Sequence, residues 1–315
     1  MTILVTGANG FIGSSLVRVL TQQKLPLRAC VRNQDTTRHQ DPSQCSVGDI
    51  GPNTDWTMAL DGVRTVIHTA ARQHVMRDTQ QNVVDLFRQV NVLGSVNLAR
   101  QAAASGVRRF VFVSSIKVNG ESTEPGRAFF ADDVPAPEDP YGVTKLETEK
   151  ALLELAAETG LEVVIVRPPL VYGPKVKGNF ASLLRAVKKG IPLPFATIDS
   201  NRRSMVSVDN LVSLLVTCLT HPNAKNEVFL VCDGENLSTA ELLRRLGMAL
   251  GKPARLVPVP SVVLRLGATA LGRHDLASRL FGNLQVDDRK TRSLLNWMPV
   301  QSVADGLKAA GDALG

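Results

Sequence analysis

Short apolar runs alternate with longer stretches of helical periodicity through the first half of the chain. The apolar runs have the length and continuous hydrophobicity of buried strands, and they lie at residues 3–6, 27–31, 65–68, 110–113 and 161–166. The stretches with apolar side chains at helical spacing include residues 11–23, 83–104 and 141–158. Strands that alternate with helices of this length predict an α/β fold, in which helices cover both faces of a doubly wound parallel sheet.

This alternation breaks down after residue 169, where prolines punctuate shorter elements. Two segments of helical periodicity and one short apolar run can still be recognised, at residues 211–219, 239–250 and 228–231. We therefore predict two regions. Residues 1–173 form the parallel-sheet domain, and residues 174–315 form a smaller substrate-binding region that exchanges an element or two with the main sheet.

The first apolar run leads into a glycine-rich turn, Gly7-Ala8-Asn9-Gly10-Phe11-Ile12-Gly13. Glycine permits a tight turn and lets the backbone approach a pyrophosphate, and the third glycine lets helix and strand pack closely. The helix that follows offers unpaired N–H groups and a positive dipole end to the phosphates. A lone glycine pattern is weak evidence, but its place between an N-terminal strand and a helix predicts a Rossmann-type dinucleotide site. Its residues are Gly7, Asn9, Gly10, Phe11, Ile12 and Gly13.

A net charge of +7 favours an anionic small-molecule ligand over nucleic acid. The 315-residue chain has no long run of Lys and Arg, and only 4% of its residues are aromatic, which leaves few platforms for base stacking. Four separated cysteines and five scattered histidines predict no metal site and favour the reducing cytoplasm. The first residues do not resemble a signal peptide, and no apolar run approaches the ~18 residues of a membrane span.

A tyrosine and a lysine four residues apart predict a proton-transfer site. Tyr141 and Lys145 lie on one face of a predicted helix, where the ammonium favours the phenolate form of the tyrosine. Ser114 and Ser115 close the strand at residues 110–113, at the sheet edge where doubly wound folds place their chemistry. A hydroxyl there is able to hydrogen-bond the reacting oxygen. Each motif alone is common, but together and in this order they predict catalysis.

These motifs resemble those of extended short-chain dehydrogenases/reductases, whose fingerprint is GxxGxxG. The resemblance implies a nicotinamide cofactor, with further contacts from an adenine segment, a ribose segment, a helix asparagine that orders the active-site water and lysine, and a segment under the nicotinamide. The matching cofactor residues are Asp49, Ile50, Ala70, Ala71, Asn91, Tyr141, Lys145 and Pro168. His68 is expected to be a packed residue rather than a catalytic one.

Across nearly the whole chain, the closest resemblance is to sugar-nucleotide 4-epimerases and 4-reductases. It implies a UDP-sugar whose diphosphate, base and reacting hydroxyl are bound by Asn179, Arg203, Phe195 and Ser115. The alternative is that Asn179 caps a helix and Arg203 is a surface charge. UDP-galactose 4-epimerases carry an asparagine where this chain has Leu170. Nucleotide-sugar dehydratases need an acid pair where this chain has Ile116 and Lys117, which argues against dehydration.

The cofactor prediction depends on the residue that ends the second predicted strand. NAD-selective sites have an acid there, which hydrogen-bonds the ribose 2′-hydroxyl and repels a 2′-phosphate. This chain has Arg32, whose guanidinium is able to pair with that phosphate. We therefore expect NADP, with NAD as the alternative if Arg32 is only a solvated turn residue.

The expected function is reduction of a 4-keto group on a UDP-linked amino- or deoxy-hexose, as in bacterial O-antigen and other surface-polysaccharide pathways. A UDP-hexose 4-epimerase is the alternative. Two further alternatives are a reductase of a hydrophobic carbonyl compound and a non-catalytic dinucleotide sensor, which has no need of Tyr141, Lys145 and Ser115. The resemblance also implies a homodimer through the helices that contain Asn91 and Tyr141.

Overall fold

A computed structural model describes residues 2–33, 43–72, 83–270 and 280–314. Its strands are β1 Thr2–Thr6, β2 Leu27–Val31, β3 Gln44–Ser46, β4 Val63–His68, β5 Arg109–Val113, β6 Glu162–Arg167, β7 Leu170–Tyr172, β8 Arg203–Ser207, β9 Glu227–Leu230 and β10 Asn236–Leu237. Within the described residues, seven strands form a parallel sheet in the order β3-β2-β1-β4-β5-β6-β9. The predicted doubly wound α/β sheet is confirmed.

Helices occupy most of the segments between the strands. They are α1 Phe11–Gln22, α2 Thr57–Leu60, α3 Val83–Phe87, α4 Ser95–Ala104, α5 Pro140–Thr159, α6 Gly178–Lys188, α7 Val208–Cys218, α8 Thr239–Ala249, α9 Ser261–Ala270, α10 Arg289–Leu295 and α11 Val303–Asp312. The single helix predicted at residues 83–104 is divided, because a π-helical segment, Arg88–Gly94, separates α3 from α4. Within these bounds, every helix is too short or too polar to span a bilayer.

Side chains on β1 alternate between two hydrophobic cores, one on each face of the sheet. Ile3 and Val5 pack in the core that also contains residues of α1 and α7. Leu4 packs in the opposite core, with residues of α4 and α5. Successive side chains of a strand point to opposite faces, so each face of a buried strand needs apolar residues. This double burial explains the continuous apolar runs in the sequence.

The second half of the chain contributes strands to both sheets. β7, β8 and β10 form a separate small sheet, which packs with α6, α8 and α11 around Tyr172, Phe180 and Leu243. β9 instead completes the main sheet, and α7 packs against α1. β7 precedes residue 173 but belongs to the small sheet. The two halves of the chain thus exchange strands between the two sheets. The division into two regions at residue 173 stays a prediction.

Candidate active site

The glycine turn after β1 is shaped by steric contacts that only glycine permits. Gly7 has a φ of +67°, and a Cβ atom there would lie 2.8 Å from the backbone nitrogen of Ala70. A Cβ atom on Gly13 would lie 2.1 Å from the carbonyl oxygen of Gly7. The Gly10 N–H donates to that carbonyl oxygen at 2.8 Å. The turn therefore brings the start of α1 against the segment after β4.

The N-terminus of α1 is suited to bind a dinucleotide phosphate. The helix begins at Phe11, and its N-cap is Gly10, which has no side chain to pair with the first N–H groups. These N–H groups and the helix dipole favour an anion. The glycine contacts and the helix end together form a cradle that fits a dinucleotide phosphate. The cofactor roles of Gly7, Asn9, Gly10, Phe11, Ile12 and Gly13 stay predictions.

The segment after β4 is fixed from two sides. The Thr69 hydroxyl donates to the carbonyl oxygen of Thr6 at 2.7 Å, which holds the segment against the glycine turn. The Asn91 amide bonds both backbone groups of Arg72, accepting from its N–H at 2.8 Å and donating to its carbonyl oxygen at 3.1 Å. Half-buried Ala70 and Ala71 lie between these anchors, beside the cradle where we predicted the cofactor ribose.

His68 is a packed residue, as expected. Its ring bonds the hydroxyls of Thr6 at 2.6 Å and Ser95 at 2.8 Å, and it stacks on Phe112. Burial lowers the pKa of His68 to about 3, so the ring is neutral over the physiological range.

Arg32 and Asp49 meet at the ends of β2 and β3. The Arg32 Nε lies 3.0 Å from an Asp49 carboxylate oxygen, and the two side chains are 77% and 86% exposed. Ile50, the next residue, is half-buried and packs near Gly94, where a Cβ atom would lie 2.7 Å from its Cγ2. The structure thus brings together the residues predicted at the adenosine end of the cofactor. It also shows that the Asp49 carboxylate forms an ion pair with Arg32 and so partly neutralises its positive charge.

Tyr141 and Lys145 lie in the first turns of α5. The helix begins at Pro140, and the Asp139 carboxylate caps it by accepting from the Gly142 N–H at 2.6 Å. Tyr141 is half-buried, whereas Lys145 is buried, with its Nζ 5.7 Å from the Tyr141 ring centroid. The Lys145 Nζ donates to the carbonyl oxygen of Val113 at 2.8 Å, which fixes the ammonium at the end of β5.

Burial lowers the pKa of Lys145 to about 7, an effect that the Glu149 carboxylate partly opposes. A lysine with this pKa exchanges its proton near neutral pH. Its positive form stabilises a phenolate on the neighbouring tyrosine. The pair therefore has the electrostatics that proton transfer by Tyr141 requires.

The backbone of α5 packs closely against the turn that carries Ser115. A Cβ atom on Gly142 would lie 2.7 Å from the carbonyl oxygen of Lys117. Ser115 caps the 3₁₀ turn Ile116–Val118, and its Oγ accepts from the Lys117 N–H at 3.3 Å. The Ile116 N–H donates to the carbonyl oxygen of Pro168 at 3.0 Å, which joins this turn to the segment after β6. The structure thus unites the ends of β5, β6 and α5.

Ser114 points away from Ser115 into a buried ionic network. Its hydroxyl donates a short hydrogen bond to Glu149, which also forms a buried salt bridge with Arg167 at 2.6 Å. Arg167 donates in addition to the Asn119 side chain at 3.0 Å. The catalytic role assigned to Ser114 stays a prediction, since this geometry favours a positioning role. Glu149 was not among the predicted site residues, although its spacing of four residues after Lys145 places it on the same helix face.

The π-helical segment holds α5 from the other side. The Thr148 hydroxyl donates to the carbonyl oxygen of Asn91 at 2.9 Å, and the Asn91 amide lies 3.4 Å from the Thr144 hydroxyl. A π-helical turn leaves backbone groups out of the regular α-helical pattern, and such turns are frequent at functional sites. Asn91 therefore links α5 to the segment after β4.

The predicted substrate residues other than Ser115 lie on different parts of the smaller region. Asn179 is exposed on the first turn of α6, whose N-cap is Lys177, so Asn179 is not the helix cap. Phe195 is half-buried against the core of this region. Arg203 begins β8 and donates to the carbonyl oxygen of Gly282 at 3.3 Å, so it is not simply a solvated surface charge. Their roles stay predictions.

Residues 3–232 match the NAD dependent epimerase/dehydratase family. The chain belongs to this family. The match covers the main sheet and the Tyr141–Lys145 pair, so the protein is an enzyme of the extended short-chain dehydrogenase/reductase type. In the described part of the chain, no group of three His, Cys, Asp or Glu side chains is placed to hold a metal ion.

Proteins similar to this chain have names that give different activities. A UDP-glucose 4-epimerase of Vibrio cholerae is 49% identical over 99% of this chain and 95% of its own length. A 2-alkyl-3-oxoalkanoate reductase of Stenotrophomonas maltophilia is 29% identical over 80% of this chain and 77% of its own. The first similarity supports the epimerase alternative better than the 4-keto reductase that we expected.

Solved structures of epimerases share the fold. UDP-glucuronic acid 4-epimerase of Bacillus cereus, in complex with NAD, superposes with a TM-score of 0.80 over 100% of this chain and 96% of its own, at 24% identity. UDP-glucose 4-epimerase of Thermotoga maritima, with UDP-glucose, gives a TM-score of 0.76 over 100% of this chain and 98% of its own, also at 24% identity.

Proposed function

We propose that this protein is a UDP-hexose 4-epimerase that uses NAD. The observation that carries the proposal is the 49% identity to the Vibrio cholerae UDP-glucose 4-epimerase over almost the whole of both chains. The arrangement of Tyr141, Lys145 and Ser115 at the ends of α5 and β5 supports it, because these groups suit proton transfer at a sugar hydroxyl.

In this proposal, Tyr141 moves the proton of the sugar 4-hydroxyl. Its phenolate removes the proton from O4 and later returns it, while the Ser115 hydroxyl orients the same oxygen by a hydrogen bond. Lys145 stabilises the phenolate electrostatically, and Val113 fixes the position of its Nζ. When bound, NAD supplies reversible oxidation at C4. Its pyrophosphate would lie on the glycine cradle, and its nicotinamide near Pro168.

The UDP part of the substrate is assigned to the smaller region. We propose that Arg203 and Asn179 contact the diphosphate and that Phe195 packs beside the base. A guanidinium binds diphosphate oxygens through two parallel N–H donors, a geometry that suits a phosphate. In the structure, Arg203 is half-buried at the start of β8, and this strand pairs with β7 just after the Pro168 segment.

A 4-keto reductase that uses NADPH is the second candidate, and Arg32 is the observation that favours it. Arg32 follows β2 directly, at the position where an acid would select NAD. Asp49 lies 3.0 Å from it, however, and its negative charge opposes a 2′-phosphate at this point. For this reason we place NAD before NADP.

One set of assays separates the candidates. An epimerase interconverts UDP-glucose and UDP-galactose with bound NAD and no net consumption of reduced cofactor. A 4-keto reductase oxidises one NADPH for each UDP-4-keto-6-deoxyhexose reduced. Interconversion by the unmodified protein, lost in Tyr141→Phe, is the expected result. Turnover of only the keto sugar with NADPH would replace the proposal by the second candidate, and binding of neither UDP-sugar would move the substrate to another class.

Binding measurements test the choice of cofactor. We expect the unmodified protein to bind NADH at least as tightly as NADPH, because the carboxylate of Asp49 is paired with Arg32. Asp49→Asn removes this negative charge and is expected to raise the affinity for NADPH relative to NADH. Tighter binding of NADPH by the unmodified protein, measured by calorimetry, would restore NADP as the cofactor.

We also propose a cytoplasmic homodimer. All four cysteines are free, which is typical of a reducing compartment. The helices of the proposed interface are α4, with the π-helical segment before it, and α5. Leu93 is 43% exposed on that segment, and an apolar side chain there is suited to a subunit contact. Sedimentation of the protein and of Leu93→Glu tests the assembly, since a charge at a buried contact should produce monomers.

A further inference from the structure

Two cysteines lie side by side on β2 and β3, away from the catalytic groups. Cys30 and Cys45 are register partners in this parallel pair of strands. Both contact the same hydrophobic core, so their side chains lie on the same face of the sheet. Neighbouring strands are about 4.7–4.9 Å apart. Disulfides form between Cα atoms about 4.4–6.8 Å apart, so this pair is within reach of a bond.

We propose that Cys30 and Cys45 form a thiol-exchange site for low-molecular-weight disulfides, and that their oxidation changes the affinity of the adenosine end of the cofactor site. The first part stands on the strand register. The second part rests on the proposed function, because it takes Arg32 and Asp49 as cofactor residues.

The environment of the pair assigns different roles to the two sulfurs. A hydrogen bond from the Cys30 thiol, and more weakly the Arg28 guanidinium, lower the pKa of Cys45. The interaction with Cys45, together with burial, raises the pKa of Cys30. Cys45 is half-buried on the edge strand of the sheet, whereas Cys30 is only 2% exposed. Cys45 is therefore the attacking sulfur and Cys30 the resolving one.

The chemistry balances as two thiol–disulfide exchanges. The Cys45 thiolate attacks one sulfur of the small disulfide, whose S–S bond breaks and releases the first thiolate. Cys30 then gives its proton to a departing thiolate and attacks the Cys45 sulfur, which releases the second small thiol. Two cysteine thiols are oxidised, and one small disulfide is reduced to two thiols. After the first exchange, Cys45 no longer carries the negative charge that held the Cys30 proton.

The bond would shift β2 relative to β3 at this register pair. Disulfides require Cβ atoms about 3.5–4.5 Å apart, which is closer than the spacing of neighbouring strands. Arg32 follows Cys30 by two residues, and Asp49 follows Cys45 by four, so the ion pair between them lies just beyond the new bond. We expect the oxidised protein to bind NAD several-fold more weakly than the reduced one.

The other two cysteines provide an internal control. Burial raises the pKa of Cys218 and of Cys232 to about 12. Cys218 is the last residue of α7 and packs in the core on that side of the sheet. Cys232 lies in a separate cluster, where its thiol donates to the carbonyl oxygen of Val286. Neither is in register with another cysteine among the paired strands of the described residues, so both should stay thiols.

Exposure of the full-length protein to glutathione disulfide, followed by alkylation and peptide mass spectrometry, tests the site. Joined peptides of Cys30 and Cys45 are expected, with the loss of two hydrogens. Cys30→Ser should retain a glutathione adduct on Cys45, and Cys45→Ser should leave Cys30 unmodified. An unreacted Cys45 in the folded protein, or joined peptides that form only after unfolding, would overturn the proposal.

Calorimetry of NAD binding tests the coupling. Weaker binding after oxidation, restored by dithiothreitol, is expected in the unmodified protein and absent in Cys45→Ser. Equal affinity of the two forms would refute the coupling but not the site. If the reduced protein binds no NAD, the proposed function and the coupling fail together, while the peptide map still decides whether the thiol-exchange site exists.

Discussion

At the scale of single residues, the proposed mechanism depends on a tyrosine that lies one helical turn from a buried lysine. The sequence contains two tyrosines, so the role of Tyr141 has a natural comparison in Tyr172. Tyr172 is fully buried, and its hydroxyl donates to the Asp233 carboxylate at 2.7 Å. Burial raises the pKa of Tyr172 far above its ordinary value, which keeps it a neutral donor. In the proposed function, the two phenols thus have opposite roles: Tyr141 transfers a proton, and Tyr172 is a buried structural donor.

We predict that Tyr141→Phe lowers turnover by roughly 100-fold or more, because the variant has no group to exchange a proton with the substrate oxygen. Cofactor binding should be nearly unchanged, since the glycine cradle is intact. Steady-state rates and NAD calorimetry measure the two effects.

Tyr172→Phe is the matched control. It should cost about 1–3 kcal/mol of unfolding free energy, because Asp233 loses a buried donor, and it should leave turnover per folded molecule close to that of the unmodified protein. Full activity in Tyr141→Phe would remove Tyr141 from the mechanism.

Single residues also show what the sequence could and could not predict. Tyr141, Lys145 and Ser115 follow from local spacing and from their positions after strands, and the structure brings them to one edge of the sheet. The partner of Ser114 was not predictable, because Glu149 and Arg167 meet only when α5 packs beside β6. The ion pair of Arg32 with Asp49 also depends on the pairing of β2 with β3, and no local sequence pattern reveals this pairing.

At the scale of elements, α5 carries the three side chains of the proposed site on one face, at residues 141, 145 and 149. The Glu149 carboxylate raises the pKa of Lys145 against the larger effect of burial. Its buried salt bridge with Arg167 also connects α5 to the end of β6. In the proposed function, α5 therefore positions Tyr141 and Lys145 and also tunes the charge of Lys145.

We predict that Glu149→Gln moves the alkaline limb of the pH–rate profile to lower pH by about one unit. The sign follows from the charge, because loss of the carboxylate disfavours the ammonium and lowers the pKa of Lys145 below about 7. Lys145 then loses its proton, and its support for the phenolate, at a lower pH. The kcat/KM profile measures the shift.

The variant also leaves Arg167 without its buried partner, which should lower the unfolding free energy by about 3–5 kcal/mol. Rates must therefore be taken where the protein remains folded. Glu147→Gln is the control, since Glu147 lies on the same helix but pairs with Arg88 at the surface and should leave the profile in place. An unmoved profile in folded Glu149→Gln would limit Glu149 to a purely structural role.

The contact of α5 with the Ser115 turn gives a second prediction at this scale. In Gly142→Ala, the new methyl group would lie 2.7 Å from the Lys117 carbonyl oxygen, so helix and turn must move apart. We expect a loss of about 1–3 kcal/mol in stability and a fall in kcat, because Ser115 and Tyr141 would no longer face the same oxygen. Gly51→Ala is the control, since it meets open space. Equal activity and stability of the two variants would contradict this close approach.

At the scale of the whole molecule, the sequence predicted the parallel sheet, whereas the division of the chain at residue 173 stays a prediction. Continuous apolar runs and helical periodicity are local signals, so β1, β2, β4, β5 and β6 lie where they were expected. The exchange of β7 and β9 between the two sheets is a long-range property. The three-residue strands β3 and β7 have too little sequence for a clear period. The substrate residues lie in this less predictable half.

The last prediction tests whether that half binds the nucleotide. In the proposed function, Arg203 pairs with the diphosphate, so Arg203→Ala should weaken the binding of UDP by about 2 kcal/mol or more, as expected when one partner of a buried charge pair is removed.

Arg202→Ala is the matched control, because Arg202 is next to Arg203 in sequence and its guanidinium donates to the carbonyl oxygens of Asp199 and Asn201. It should alter UDP binding far less, and NAD binding should be equal in both variants, because the glycine cradle lies in the other half. Calorimetry with UDP and with NAD decides the matter. Equal UDP affinity in the two variants would place diphosphate recognition on other residues, and loss of NAD binding in Arg203→Ala would point to a general disturbance of the fold.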